Sequence, residues 1–533
     1  MHFCSPIAPS PSTAGTGTPR RRRERRGPRW GALALTALSI TVAAPAPALA
    51  DEHRSQDVVA AIDRYLADRV PSPATPGAAV AVTRGDRVLL VRGYGHDSTG
   101  APVTGDSLFR IASLSKSFTA LAVLQLVDAG RLRLKDPVQQ HLPEFRLADS
   151  RGDQLTVRQL LDHTSGLTDD EVPELSRPQP ATPREATARL RSARLASSPG
   201  QAFSYHNPNY QVAARLVEVV SGESFGDYLR DHVLEPAGMA STTSTVTDDE
   251  PVPGLADGHV VAYGRAVAAD GMGTFTVRVG GLVSSAADMA RWLIVHANGG
   301  QAADGSRVVS GRAMQVLHTP SAPKTGYALG WDTDGPTEAP TRLEHSGSVL
   351  TYSAEHSLWP KSGYGVVLLF NSGSAMLLDQ LPILHGVFDI VEGRQPPSAG
   401  RPLALTLDAV LALLTVTALA LGTCGALRAD RWARRWRGAP GRMALGLLPS
   451  PVVLGAGTAF SRLAELWFGR DVTWRAAAYG WPALVVFVTA SLVAAAVTLA
   501  ARSWSLFGKD ASMAQDSSRQ VWWPSRQMTE GKW

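Results

Sequence analysis

Residues 403–427, 443–460 and 481–501 are three apolar stretches near the carboxyl end of the chain. Each comes close to or exceeds the ~20 residues that a helix needs to cross a bilayer. No other feature restricts the fold as much, because backbone in lipid must satisfy its own hydrogen bonds and is therefore helical or closed into a barrel. The second stretch is the weakest of the three, since Pro449 and Pro451 interrupt it. Arg428, Arg431, Arg434, Arg435, Arg437 and Arg442 crowd the link between the first two stretches. Such a loop stays in the cytoplasm. The first stretch then begins outside, the 461–480 loop faces outside, and the polar tail 502–533 lies inside. Asp408, inside the first stretch near its outer end, is either a functional intramembrane carboxylate or one that reaches the headgroups.

The amino terminus agrees with this orientation. Arg20 to Arg23, Arg25, Arg26 and Arg29 precede an apolar run over 30–44, and Ala48, Leu49 and Ala50 close it in an A-x-A-like pattern. Residues 1–50 therefore read as a secretory signal peptide, with an uncleaved anchor as the rival reading. These arginines and the 428–442 loop account for much of the formal charge of +5, so the basic pI of about 9.3 implies no nucleic-acid partner. The two cysteines are Cys4, in the signal, and Cys424, in the first apolar stretch. The exported part thus has no disulfide, thiol nucleophile or thiolate metal site. The sequence implies no metal or other cofactor and leaves the oligomeric state open.

Between signal and membrane lies a domain over 51–394, closed by the linker 395–402 with Pro396, Pro397 and Pro402. A helix is expected over 58–70, and two β-runs, 78–83 and 87–94, flank the turn Arg84, Gly85, Asp86. Helix-like patterns follow at 113–130, at 155–167 (capped by Thr156 and stopped by Gly166) and at 211–220. A polar, Pro-rich excursion over 169–184 reads as a loop or lid. Strands are expected at 327–331, 352–358 and 365–371, and a last helix at 377–391. β-runs at both ends with helices between them make an α+β domain of the α/β class.

Three places carry chemistry. Ser113 and Lys116 stand three apart where a helix-period apolar pattern begins at Phe118 and Leu121. Residues i and i+3 share a helix face, so hydroxyl and amine lie together. A partly desolvated lysine can take the serine proton, and the helix N-terminus offers N–H groups to an oxyanion. By itself this pattern also fits a helix cap beside a solvated lysine. Ser321 and Lys324 share the spacing, but Pro323 between them disfavours a helix. Tyr205 and Asn207 sit on a loop before the helix 211–220, as a second polar pair. A buried tyrosine with a capping asparagine explains them equally well. His163 fits a hydrogen-bonded turn at a helix end better than catalysis. The third place has two candidates: Lys324 with Gly326, and His345 with Gly347 and Ser348. Either fits a strand edge beside the nucleophile, where glycine lets substrate approach the backbone.

Taken in order, Ser113-x-x-Lys116, Tyr205-x-Asn207 and His345-x-Gly347 resemble the serine β-lactamase/penicillin-binding superfamily. The closest resemblance is to its class C-like branch of D,D-peptidases, D-aminopeptidases and esterases. The stretches 155–167, 199–222, 280–292 and 327–331 resemble that branch as well, and the likeness covers 55–393. It selects His345 over Lys324, by its distance after the 327–331 stretch. The resemblance implies an antiparallel sheet built from both chain ends, helices packed on it, and a mainly helical lobe between. It also implies catalysis by Ser113, Lys116 and Tyr205, with substrate contacts from Asn207, His345, Gly347 and Ser348.

The expected function is a multi-pass cell-membrane serine hydrolase with an extracytoplasmic catalytic domain, forming an acyl-enzyme with small amides, esters or peptides, cell-wall peptide among them. Two departures bear on substrate. His206 stands where the Y-x-N motif usually has a small residue, and His345 where true β-lactamases usually carry lysine. Arg342 offers a substitute cation. A true β-lactamase and a non-turnover cell-wall or β-lactam sensor are the alternatives. An α/β-hydrolase is disfavoured, because the one G-x-S-x-G, from Gly222 to Gly226, follows the helix 211–220 and not the strand that a nucleophile elbow needs.

Overall fold

Successive side chains of strand Gly77–Arg84 point to opposite faces, and both faces are buried. Ala79 and Ala81 pack into one apolar core with Val367, Leu369 and Trp292. Ala78, Val80 and Val82 pack into another with Ile62, Leu66, Leu368 and Val387. A sheet covered on both sides follows, and it has six antiparallel strands. Their order is Arg87–Gly95, Gly77–Arg84, Tyr364–Phe370, Ser353–Trp359, Arg342–Ser348 and Asp332–Asp334. Strands from both ends of the domain thus lie side by side, as expected. The hairpin between the first two turns at Gly85, whose φ of +58° suits glycine.

The structure is a computed structural model that describes residues 47–274, 281–320, 326–335, 339–373, 378–398 and 403–508. Most of the expected signal (1–46), both Ser321 and Lys324, and the tail from 509 lie outside the described residues. The boundary between the chain's two units, Met1–Asp57 and Val58–Trp533, falls within helix Pro47–Arg69. In the first unit the described residues are the opening turns of that helix. The second unit holds the sheet, with helix Gln380–Val391 against one face and helices Ser115–Asp128 and Ala286–Ala297 on the other side.

The helical lobe includes Val157–Leu161, Pro183–Ala188, Pro208–Ser221 and Phe225–Leu229. Local chemistry sets several of these ends. Thr156 and Gln159 form a reciprocal capping box, and Gly222, at φ +87°, closes Pro208–Ser221. The expected strand over 327–331 is absent. Gly330 adopts φ +82° and Tyr327 makes only a single bridge to Asp332, so the strand starts at Asp332. Close packing imposes the turn, since a Cβ on Gly330 would stand 2.8 Å from the Ser117 nitrogen.

Two helices, Leu403–Leu427 and Pro482–Phe507, are long and apolar enough to cross a membrane. They pack through small residues: a Cβ on Gly422 would stand 2.6 Å from that of Ala494, and one on Gly425 2.9 Å from Thr498. The second expected segment is a bent pair, Pro440–Thr458 and Phe460–Trp467, at 60° to each other. Its prolines start helical turns, as proline at N1 can, and the bend falls instead at Ala459. Asp408 is buried, and accepts hydrogen bonds from Trp481 Nε1 (2.8 Å) and the Tyr263 backbone nitrogen (2.6 Å). It ties two apolar helices to the β-hairpin Gly258–Ala262/Arg265–Ala269.

Candidate active site

The turn Ala112–Leu114 leads directly into helix Ser115–Asp128 and places Ser113 just ahead of the first helical turn. Ala112 has φ +49°, an unfavourable conformation for a residue with a Cβ. The surroundings hold it: Ser115 Oγ donates to the Ala112 carbonyl at 2.7 Å, and the Ile111 nitrogen donates to Leu282 O at 3.0 Å. On the opposite wall, strand Arg342–Ser348 passes close because Gly347 lacks a side chain. A Cβ there would stand 2.6 Å from Ile111 O and 3.0 Å from the Ser113 nitrogen.

Lys116 is fully buried and its Nζ donates to Ser113 Oγ at 3.0 Å. Tyr205 Oη donates to the same oxygen, also at 3.0 Å. The ammonium lies 4.8 Å from the Tyr205 ring centre and 5.8 Å from that of Tyr210. Burial, helped by the nearby Arg470 charge, pushes the Lys116 pKa well below its usual 10.5; Glu174 and Asp332 oppose this. Burial pushes the Tyr205 hydroxyl up, although the Ser113 hydrogen bond and Arg470 pull the other way. The amine is therefore the easier of the two to find unprotonated, and the phenol stays a proton donor. A lone tyrosine base, which needs its pKa lowered, is disfavoured.

Asn207 occupies the position before helix Pro208–Ser221. Its backbone nitrogen and Nδ2 donate to Glu174 at 3.1 and 2.8 Å, which commits the amide nitrogen to the 169–184 excursion. Its Oδ1 is buried without a hydrogen-bond partner. His206 is buried, and its Nδ1 lies 2.7 Å from Asp169. His163 Nδ1 accepts from the His206 backbone nitrogen at 3.2 Å and lies 3.1 Å from Asn209 Nδ2. It is thus a clip under the Tyr205 loop, as expected for a histidine in a turn.

His345 is buried, and its ring centre lies 6.1 Å from that of Tyr205. Nδ1 stands 2.7 Å from the Ser346 carbonyl, to which it can only donate, and Nε2 is 3.2 Å from Tyr327 Oη. A neutral ring with its proton on Nδ1 and Tyr327 donating to Nε2 satisfies both contacts. Ser348, exposed at the end of the strand, accepts from the Leu350 nitrogen at 3.3 Å. The structure thus gathers Ser113, Lys116, Tyr205, His345 and Gly347. Asn207 adjoins them through Tyr205, and Ser348 lies at the rim.

Arg342 is engaged elsewhere. It pairs with Glu344 at 2.7 Å, Glu392 at 3.0 Å and Asp334 at 3.3 Å. Its expected role as substitute cation is therefore corrected: three carboxylates already hold it. Sequence reasoning missed Glu174, Asp332, Tyr327 and Arg470. Burial and the Glu344 charge push the Asp332 carboxyl up to about 8, so it is largely protonated at neutral pH. Asp169, Glu174 and His206 offer ligand atoms within 4.8 Å of one another, a spacing a metal ion could bridge. The Arg470 guanidinium lies 3.3 Å from Asp169 and 3.5 Å from Glu174, and so provides a cation to both carboxylates.

The chain is similar to known proteins in sequence and in fold. The profile of the Beta-lactamase family matches residues 61–381. The chain is 32% identical over 351 residues to "Penicillin-binding protein 4" of Amycolatopsis lactamdurans, covering 62% of this chain and 90% of that one. It is 26% identical to "Protein flp" of Staphylococcus aureus (strain MW2), over 59% of this chain; it spans only 63% of that protein, less than two thirds of its length. The octameric penicillin-binding protein homologue from Pyrococcus abyssi superposes with a TM-score of 0.52 at 26% identity, covering 67% of this chain and 81% of that one. With more than half of its length inside the family profile, the chain belongs to the beta-lactamase family, the serine hydrolases that include penicillin-binding proteins.

Proposed function

We propose that this chain is a membrane-anchored extracytoplasmic hydrolase that acts through an acyl-enzyme on amides or esters of the D-amino-acid peptide type. The observation that carries the reading is Ser113 Oγ, which meets Lys116 Nζ and Tyr205 Oη at 3.0 Å each. Neutral Lys116 takes the Ser113 proton as Oγ attacks the carbonyl carbon. The backbone N–H groups of Ser113 and Ser348 hold the resulting oxyanion. Tyr205 relays a proton to the leaving group, and water later releases the acyl group by the same route. Asn207, His345 and Gly347 line the substrate side, with the free Asn207 Oδ1 as an acceptor for a substrate N–H.

Membrane anchoring rests on the two apolar helices and on the arginines of the 428–442 loop. A signal over 1–50 and an internal tail from 502 complete that topology. The β-lactamase alternative is weakened by His345, whose two ring nitrogens are both engaged, and by the engagement of Arg342.

The test is covalent labelling of the full chain in membranes with a fluorophosphonate and a fluorescent penicillin. Wild-type and Ser321→Ala proteins should take up label and Ser113→Ala should not. Label retained on Ser113→Ala protein would overturn the assignment.

A further inference from the structure

The external loop between the second and third apolar segments reaches the catalytic wall. Gly469 ends helix Phe460–Phe468 at φ +63°, and Thr473 caps Trp474–Gly480 by accepting from the Ala476 nitrogen at 3.1 Å. The few residues between these two caps have little freedom. Asp471 accepts hydrogen bonds from the Leu175 and Ser176 backbone nitrogens, both at 2.6 Å. Arg470 spans Asp169 and Glu174 and stands 5.7 Å from the Tyr205 ring centre. Glu174 in turn holds both nitrogens of Asn207. Two side chains from the membrane-proximal loop thus grip the same segment that fixes the Tyr205–Asn207 loop. Asp408, bonded to Tyr263 and Trp481, makes a second tie between the apolar helices and the domain.

We propose that the 469–473 loop is a working part of the active-site wall, with Arg470 and Asp471 as positioning residues that hold the 169–176 segment against the Tyr205–Asn207 loop. The hydrolase is then complete only with its membrane region docked, and the anchor sets the geometry of the site as well as its location. The proposal rests on the serine-hydrolase reading. Arg470 also carries a charge toward the catalytic amine. The titratable groups that act on Lys116 are Arg470, Glu174 and Asp332, and the Tyr205 and Tyr210 rings pack against it. Removing Arg470 takes away a like charge and leaves Glu174 less compensated, and both changes make Lys116 hold its proton more tightly.

The experiment uses the full chain in native membranes and has two arms. In the first, Ser176→Cys and Asp471→Cys are combined in a Cys424→Ser background. A disulfide between them is read as two fragments held together after proteolysis between the two sites. The cross-link should form, and thiols that stay free under oxidant would overturn the docking whatever the chemistry at Ser113. In the second arm, fluorophosphonate labelling is followed against pH. Arg470→Met should move the acid limb to higher pH by about one unit, whereas Arg470→Lys should stay near wild type. A wild-type limb in Arg470→Met would overturn the positioning role. Absence of label on wild-type protein would instead indict the hydrolase reading, which the cross-link does not depend on.

Discussion

Gly347 and Ser113 are packed so closely that a methyl group on the first would lie 3.0 Å from the backbone nitrogen of the second. The contact joins the sheet to the nucleophile turn and gives the expected Gly347 a physical reason: strand and turn share space that a side chain would fill. Gly347→Ala should push the two apart, with about 1–3 kcal/mol of overpacking. A displacement of about 1 Å at a reacting centre can lower the rate roughly a hundredfold. Acylation should therefore fall far more than the melting temperature. Equal loss in Ser348→Ala, which keeps the glycine, would count against packing as the cause.

The pair Lys116 and Ser113 makes a pH prediction. Burial lowers the Lys116 pKa, and the base is active only when neutral, so activity should rise with pH through that lowered pKa and disappear below it. The acid limb should lie well below the usual lysine value. Lys116→Met should abolish the limb and reduce acylation by at least about a hundredfold. It should leave thermal stability unchanged or raised, because a buried ionisable group gives way to an apolar one of similar shape. A limb that survives in Lys116→Met protein would assign it to another group.

His345 makes a prediction about substrate. A histidine engaged by Ser346 and Tyr327 lacks the permanent charge that a lysine would offer a ligand carboxylate. Slow nitrocefin turnover is expected beside measurable hydrolysis of p-nitrophenyl acetate. His345→Lys should raise the ratio of nitrocefin to ester activity by about tenfold, the worth of a charge-assisted bond. Nitrocefin hydrolysis by the wild type that outpaced its esterase activity would favour the β-lactamase reading.

Topology can be tested separately from chemistry. A reporter fused after Gly438, within the arginine-rich link, should read as cytoplasmic. Protease added to intact spheroplasts should release the catalytic domain by cutting the linker near Pro397. Cleavage of the 428–442 loop from outside would reverse the orientation.

Features whose causes lie close along the chain were readable in the sequence. The Gly85 hairpin and the Thr156 cap each need only a few neighbours, and the structure contains both, whereas the helix that Thr156 starts ends at Leu161, before the expected stop at Gly166. The spacing of Ser113 and Lys116 is legible for the same reason, because one helical turn sets it. Tyr205, His345 and Gly347 were found by resemblance, and their convergence on Ser113 is a property of the folded sheet and lobe. Packing overrode local preference at 327–331, where contact with the Lys116–Ser117 backbone turns an apolar, strand-like stretch at Gly330. Nothing near Asp332 in sequence says that its carboxyl is buried beside another acid. Nothing near Arg470 says that it meets Asp169 and Glu174, about 300 residues away. Charge and burial act through space, so the partners that tune Lys116 were decided only when distant segments were brought together.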